Sequence, residues 1–161
     1  MTIDPILLDL VKSEEGFSAT PYKDVAGVWT IGYGHTGVGV KDWPPMPESE
    51  AAELLAATLR YFESGVRKLV RVPLTRLQLV ALTSFAYNLG LGALGRSTLL
   101  RLLNAGDYEG AAAEFRKWRR AGGAIQPGLL TRRGKEEMLF RLPGGTLENP
   151  TVTPWAPEVT A

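Results

Sequence analysis

The sequence predicts an α+β fold, predominantly α, with a small antiparallel sheet in an N-terminal lobe, a long connecting helix and a helical C-terminal lobe. Three observations carry this. Apolar residues recur at helical spacing over most of the chain. β-Branched and aromatic residues cluster in one Gly-rich stretch near the N-terminus. The helical pattern from Glu48 to about Val70 would span roughly 35 Å, long for one lobe, and reads as a bridge. A sheet lobe joined to a helical lobe leaves a cleft, the default place for a ligand.

Each element follows from local signals. Ile3, Leu7, Leu10 and Val11 predict a first helix to about Glu15, stopped by Gly16. Asp24 to Gly27 reads as a turn and Val28 to Tyr33 as a strand. Trp43-Pro44-Pro45-Met46-Pro47 is a stiff connector into the long helix, whose apolar positions include Ala51, Leu55, Leu59, Phe62, Val66 and Leu69. Pro73 stops that helix, and Thr75 is placed to cap the next, which carries Leu79, Leu82, Phe85, Ala86 and Leu89. Gly90, Gly92 and Gly95 are expected to break the chain. Ser97 or Thr98 starts a short helix, and Asp107 caps another carrying Ala111, Ala112, Phe115 and Trp118. Ala121 to Gly128 reads as a loop, and a last helix runs from about Thr131 to Arg141. One domain is expected over 1–142: a sheet lobe at about 16–47, the connecting helix at about 48–70, and a helical lobe at about 73–142 with the first helix packed near it. A Pro-rich tail is expected over 143–161.

Composition narrows the chemistry. The 161 residues include no cysteine and one histidine, so thiol nucleophiles, disulfides and zinc held by several imidazoles are excluded. Hydrolysis would rest on carboxylates, hydroxyls and water, and neither cofactor nor metal is expected. The net charge of +1 conceals a division: residues 1–72 carry −3 and residues 73–161 carry +4. The densest basic segment holds Arg116, Lys117, Arg119, Arg120, Arg132 and Arg133 with no acid between, a solvated face or an anion-attracting one. The start MTIDPILLDL has no basic leader and the chain has no long apolar run, so neither a signal peptide nor a membrane helix is expected.

Several side chains are candidates for chemistry. Glu15 sits at the negative end of the first helix dipole, which favours the protonated carboxyl a general acid requires. Glu14 competes, because both acids lie near the apolar side of the helix. Asp24 heads a turn, where Asp commonly bonds its own backbone. Strand alternation puts Val28, Thr30, Gly32 and Gly34 on one small face open to an extended ligand. Trp29, Ile31, Tyr33 and His35 fall on a bulky face expected in the core. His35 is expected as a structural hydrogen-bonding residue rather than a catalyst.

Glu15-Gly16, Tyr22-Lys23-Asp24, Gly27 and Thr30-Ile31-Gly32-Tyr33-Gly34-His35 together resemble the phage-type lysozymes, glycoside hydrolase family 24. The spacing E–x8–D–x5–T is specific to that pattern. Further matching blocks are Leu74-Thr75 with Gln78, Ser84 to Gly90, Ser97 to Leu100, Leu103 to Tyr108, Trp118, Ala121 to Gly123, Gly128-Leu129 and Arg132-Arg133. The resemblance is to soluble endolysins of lambdoid-type tailed phages and covers about residues 3–142.

The resemblance implies a lysozyme-like fold and an N-acetylmuramidase that hydrolyses the β-1,4 bond between N-acetylmuramic acid and N-acetylglucosamine. Glu15, which directly precedes the Gly, carries over as the general acid in preference to Glu14. Asp24 carries over as the second carboxylate and Thr30 as a holder of water. Inversion, which the resemblance implies, needs carboxyl groups about 6.5–9.5 Å apart. Tyr87, Asn88 and Thr98 are similar to substrate-binding residues, with helix capping before Gly90 an alternative role for Asn88. The implied partner is bacterial peptidoglycan, with no nucleic acid, no stable membrane insertion and a monomeric chain. It would be made in the host cytoplasm and would depend on a separate pore-forming protein to reach the wall. Pro47-Glu48 stands where relatives often have Thr or Ser, so weaker capping of the long helix is expected. The rival functions are a lytic transglycosylase on the same bond, a non-catalytic peptidoglycan-binding module, and nucleic-acid binding through the Arg116 to Arg133 segment.

Overall fold

Helix α1 (Pro5–Glu15) starts where Asp4 accepts the Ile6 N–H at 2.9 Å, with Pro5 supplying the fixed φ of a first helical position. It ends where Gly16 takes φ 70°, a conformation costly for any residue with a Cβ. Leu7 and Val11, one turn apart, are its fully buried anchors. The computed structural model describes residues 2–143 and divides into two compact units between Tyr61 and Phe62. The tail expected over 143–161 lies outside the described residues apart from Pro143.

In the first unit, β1 (Ser18–Lys23), β2 (Trp29–Gly32) and β3 (His35–Thr36) form an antiparallel sheet in that order. Tyr22 faces Thr30 and Ile31 faces His35, with an irregularity in β1 between Ser18 and Tyr22. The strand is shorter than the sequence suggests. The chain turns at Tyr33–Gly34, so His35 arrives on its own strand instead of continuing β2. Trp29, expected in the core, is 37% exposed at the end of β2, and the Lys23 ammonium lies 5.5 Å from its ring centroid. Ile31 and Tyr33 fill the interior as expected.

The face expected to be open is closed at Gly32. A Cβ there would lie 3.0 Å from the Ala51 Cβ, and φ is 65°, so glycine alone lets β2 lie against α2 (Glu48–Leu69). The connector into α2 is strapped to β1 by the Met46 N–H, which donates to the Ala19 carbonyl at 2.7 Å. Helix α2 starts without a Ser or Thr cap, but Glu48 and Glu50 in its first turn suit the positive end of its dipole. Glu48 also accepts the Tyr33 hydroxyl at 2.6 Å, and the Lys12 ammonium lies 3.8 Å from the same oxygen. This group ties α1, the end of the sheet and the start of α2 together.

In the second unit, α3 (Arg76–Leu89) opens on a reciprocal cap. The Gln78 N–H donates to Thr75 Oγ1 at 3.0 Å, and the Thr75 N–H donates to Gln78 Oε1 at 2.9 Å. Every residue from Gln78 to Ala86 is buried, which makes α3 the central helix of this unit. Gly90 ends α3 at φ 97° as expected, but the chain does not stay irregular after it: α4 (Leu91–Gly95) runs through Gly92 to Gly95, anchored by fully buried Leu94. The end of α2 approaches α4 at Gly65, where a Cβ would collide with Leu91. Ser97 caps α5 (Thr98–Asn104) and Asp107 caps α6 (Tyr108–Glu114). A 3-10 turn, Phe115–Lys117, follows. The stretch expected as loop contains a hairpin, β4 (Arg120–Ala121) paired with β5 (Ala124–Ile125), turning on Gly122 and Gly123 at φ 59° and 80°. Two-residue strands offer no alternation to detect. Helix α7 (Pro127–Arg141) begins earlier than expected, with Pro127 at its first turn.

Phe85, Phe115, Phe140 and Trp118 form the aromatic centre, with Phe85 edge-on to both Phe115 and Trp118 at 5.5 Å. Beside it lies a buried charged group. Glu136 accepts the Ser84 hydroxyl at 2.7 Å and pairs with Arg133 at 2.7 Å and Arg132 at 3.5 Å. The Arg133 guanidinium also stands 5.1 Å from the Phe85 ring centroid. Burial pushes the Glu136 carboxyl above the usual range, while Arg133, the Ser84 hydroxyl and Arg132 pull it back. The basic segment is thus largely neutralised internally, since Arg116 pairs with Glu137 and Lys117 with Glu114.

Two predictions follow from these contacts. The hydrogen bond to Glu48, then burial, then the Glu48 charge push the Tyr33 phenol up to about 12. The stability it contributes is therefore present below pH 10 and lost as pH rises through about 12. Ultraviolet titration of Glu48→Gln should show Tyr33 ionising nearer 10.0; an unchanged midpoint would contradict this. Glu136→Ala removes the carboxylate that both arginines share and should cost about 3 kcal/mol or more in urea unfolding. A loss below about 1 kcal/mol would show that the group is not held as a buried charged unit.

Candidate active site

The three residues singled out for chemistry all lie in the first unit. Glu15 is the last residue of α1, half-buried, at the negative end of the helix as expected. Glu14 is half-buried too, so burial does not separate the two acids. Asp24 follows β1 directly and is half-buried, and Thr30 in β2 is 3% exposed.

Asp24 and Thr30 are joined through the main chain of one residue, Val28. Asp24 Oδ1 accepts two backbone donors, the Ala26 N–H and the Val28 N–H, both at 2.9 Å. The Val28 carbonyl in turn accepts the Asp24 N–H at 3.0 Å and the Thr30 hydroxyl at 3.0 Å. The Asp24 carbonyl takes the Gly27 N–H at 2.9 Å, and Gly27 has φ 79°, which closes the turn. The self-bonding expected of a turn Asp is therefore present, yet it engages only Oδ1. Thr30 is further fixed by its neighbours in the sheet, Tyr22 on one side and Thr36 on the other.

This geometry has chemical consequences. A threonine hydroxyl has one proton, and here it goes to Val28, so Oγ1 meets any further partner as an acceptor. A carboxylate with one oxygen occupied by two N–H donors is locked in orientation, and its second oxygen stays available to accept. Sequence reasoning singled out Asp24 and Thr30 but not Val28, whose contribution is entirely main-chain.

His35 stacks on Trp43, with ring centroids 5.3 Å apart and planes 25° apart. Among the described residues it makes no side-chain hydrogen bond, so the hydrogen bonding expected of it is replaced by ring packing. In the second unit, Tyr87 and Asn88 lie in the last turns of α3, and Tyr87 is edge-on to Phe62 at 5.5 Å. Asn88 does not cap the helix: the Gly90 N–H goes to the Ala86 carbonyl, and Asn88 Oδ1 is buried with no hydrogen-bond donor among the described residues. Thr98 stands apart from that pair. It lines a groove with Lys68, Arg71, Arg96 and Arg101 that includes neither Tyr87 nor Asn88. The Ser84–Glu136 link was not anticipated, although the spacing of Glu136 from Arg132 and Arg133 is visible in the sequence.

A family model described as phage lysozyme matches residues 12–136. The chain is 46% identical over 142 residues to an endolysin of Bacillus phage B103, covering 87% of this chain and 54% of that relative. It is 39% identical over 130 residues to a SAR-endolysin of Escherichia phage Mu, covering 81% and 75%. Among solved structures, the muramidase domain of SpmX from Asticaccaulis excentricus aligns with a TM-score of 0.80 at 34% identity, covering 88% of this chain and 98% of that one. The chain spans little more than half the length of the Bacillus phage relatives it matches. The fold is lysozyme-like, and the chain belongs to the phage lysozyme family.

Proposed function

We propose that this chain is the muramidase of an endolysin, hydrolysing the β-1,4 bond between N-acetylmuramic acid and N-acetylglucosamine of bacterial peptidoglycan. The observation that carries this reading is the shared hold of Asp24 and Thr30 on the Val28 main chain. Asp24 Oδ2 and Thr30 Oγ1 are then two oriented acceptors for the two protons of one water molecule. A water held by both protons turns a lone pair toward the anomeric carbon. As its oxygen bonds that carbon, Asp24 takes one proton. Glu15, at the end of α1, gives its proton to the departing glycosidic oxygen as the old bond breaks. One proton is lost by water, one is gained by the leaving sugar, and the configuration inverts.

Asn88 supports glycan binding, since its buried Oδ1 is an acceptor suited to an N-acetyl N–H or a sugar hydroxyl. Tyr87 beside it offers a ring and a hydroxyl. Among the described residues no helix is long and apolar enough to cross a membrane. We infer synthesis in the host cytoplasm and passage to the wall through a membrane opened by a separate pore-forming protein.

Glu15→Gln should lower clearing of bacterial walls at least about a hundredfold while co-sedimentation with the wall persists. Clearing at the wild-type rate would reject the assignment. Thr30→Ser keeps the hydroxyl and should keep most activity, whereas Thr30→Val should lower kcat about a hundredfold with unchanged wall binding. If the valine variant matches the serine variant, the hydroxyl does not hold the water.

A further inference from the structure

Four cations converge on a groove of about 650 Å³ in the second unit: Lys68 and Arg71 at the end of α2 and just beyond it, Arg96 before α5, and Arg101 within α5. No acidic residue lines the groove, and none of the four forms an ion pair among the described residues. This contrasts with the Arg116 to Arg133 segment, where most of the cations face carboxylates. An unneutralised group of like charges costs self-repulsion, which a bound polyanion relieves.

The neutral polar side chains of the groove are tied to the main chain. Asn104 Oδ1 accepts the Arg71 N–H at 2.8 Å and its amide donates to the Leu69 carbonyl at 3.0 Å. Ser97 donates to the Leu94 carbonyl at 2.7 Å and accepts the Leu100 N–H at 3.0 Å. The four charged donors are joined in the groove by the exposed Thr98 hydroxyl. Lys and Arg have no acceptor atoms. A neutral peptide would leave the charge of these four groups uncompensated. A chain of phosphodiesters presents acceptors only along its backbone, and guanidinium groups match phosphate oxygens two at a time.

We propose that this groove binds a phosphodiester-linked polyol polymer attached to the bacterial wall, holding the enzyme at its substrate through a contact separate from the glycan. The inference rests on the endolysin reading for the place where such a polymer is met. Thr98, similar in sequence to a glycan-binding residue, then belongs to this groove.

The test uses the full chain and poly(glycerol phosphate) of defined length, followed by fluorescence anisotropy at several salt concentrations. Arg96→Gln/Arg101→Gln should weaken binding at least about tenfold and lower the salt slope by about one to one and a half. Lys41→Gln/Arg119→Gln, which removes two exposed charges elsewhere, should change binding less than about twofold. A single-stranded DNA of equal phosphate number should bind more weakly than the polyol polymer. Wild-type affinity in the Arg96/Arg101 variant, an equal loss in the control, or DNA binding of equal strength would each overturn the proposal. Peptidoglycan stripped of phosphodiester polymers separates the two readings. The Arg96/Arg101 variant should cleave it at the wild-type rate, and Glu15→Gln should not cleave it yet should still bind the polymer. Failure of the wild type to cleave stripped peptidoglycan would count against the muramidase reading alone.

Discussion

The main chain of Val28 is the constraint on which the arrangement of Asp24 and Thr30 depends. Its N–H donates to the Asp24 carboxylate and its carbonyl accepts the Thr30 hydroxyl, so one residue meets both through the two peptide groups that flank its Cα. The turn that makes this possible needs Gly27 at positive φ, and the sheet that holds Thr30 needs Gly32 at the close approach of α2. A carboxylate and a hydroxyl held through main-chain bonds lose little conformational freedom when they engage water, which is what preorganised catalysis requires. The first turn of α2 is tied to the end of the same sheet through the Glu48–Tyr33 hydrogen bond.

The second unit solves a different problem. Its central helix is buried along nine consecutive residues, yet those include Gln78, Thr83 and Ser84. Gln78 is used at the cap, and Ser84 is used by Glu136. Placing Arg132, Arg133 and Glu136 inside the protein is costly, and the cost is offset only because each charge meets an opposite one and Arg133 also covers the Phe85 ring. Lys68, Arg71, Arg96 and Arg101, which lie outside such pairs among the described residues, are gathered on one groove.

Much of this was legible in the sequence where one residue dictates its own surroundings. Thr75, Ser97, Asp107 and Gly16 mark helix ends by chemistry that acts within a few residues, and all stand where they were expected. Asp24 and Thr30 were legible as a spaced pair. The link between them was not, because Val28 takes part through atoms that every residue has. Trp29 was misassigned because alternation says which residues share a face and not where a short strand ends. The β4–β5 hairpin was missed for want of side-chain pattern, and α4 because a glycine's low helix propensity was outweighed by burial of Leu94. The internal pairing of Arg116, Lys117, Arg132 and Arg133 is a tertiary fact that a run of like charges in the sequence conceals.

The central claim is that Asp24 and Thr30 direct a water molecule, so that the glycosidic bond is hydrolysed and not closed on itself. Mass spectrometry of the fragments released from purified peptidoglycan tests this most directly. Hydrolysis predicts fragments ending in intact reducing N-acetylmuramic acid, each carrying the elements of one added water. Fragments ending in 1,6-anhydro-N-acetylmuramic acid, lighter by that water, would contradict the account and mark the enzyme as a lytic transglycosylase.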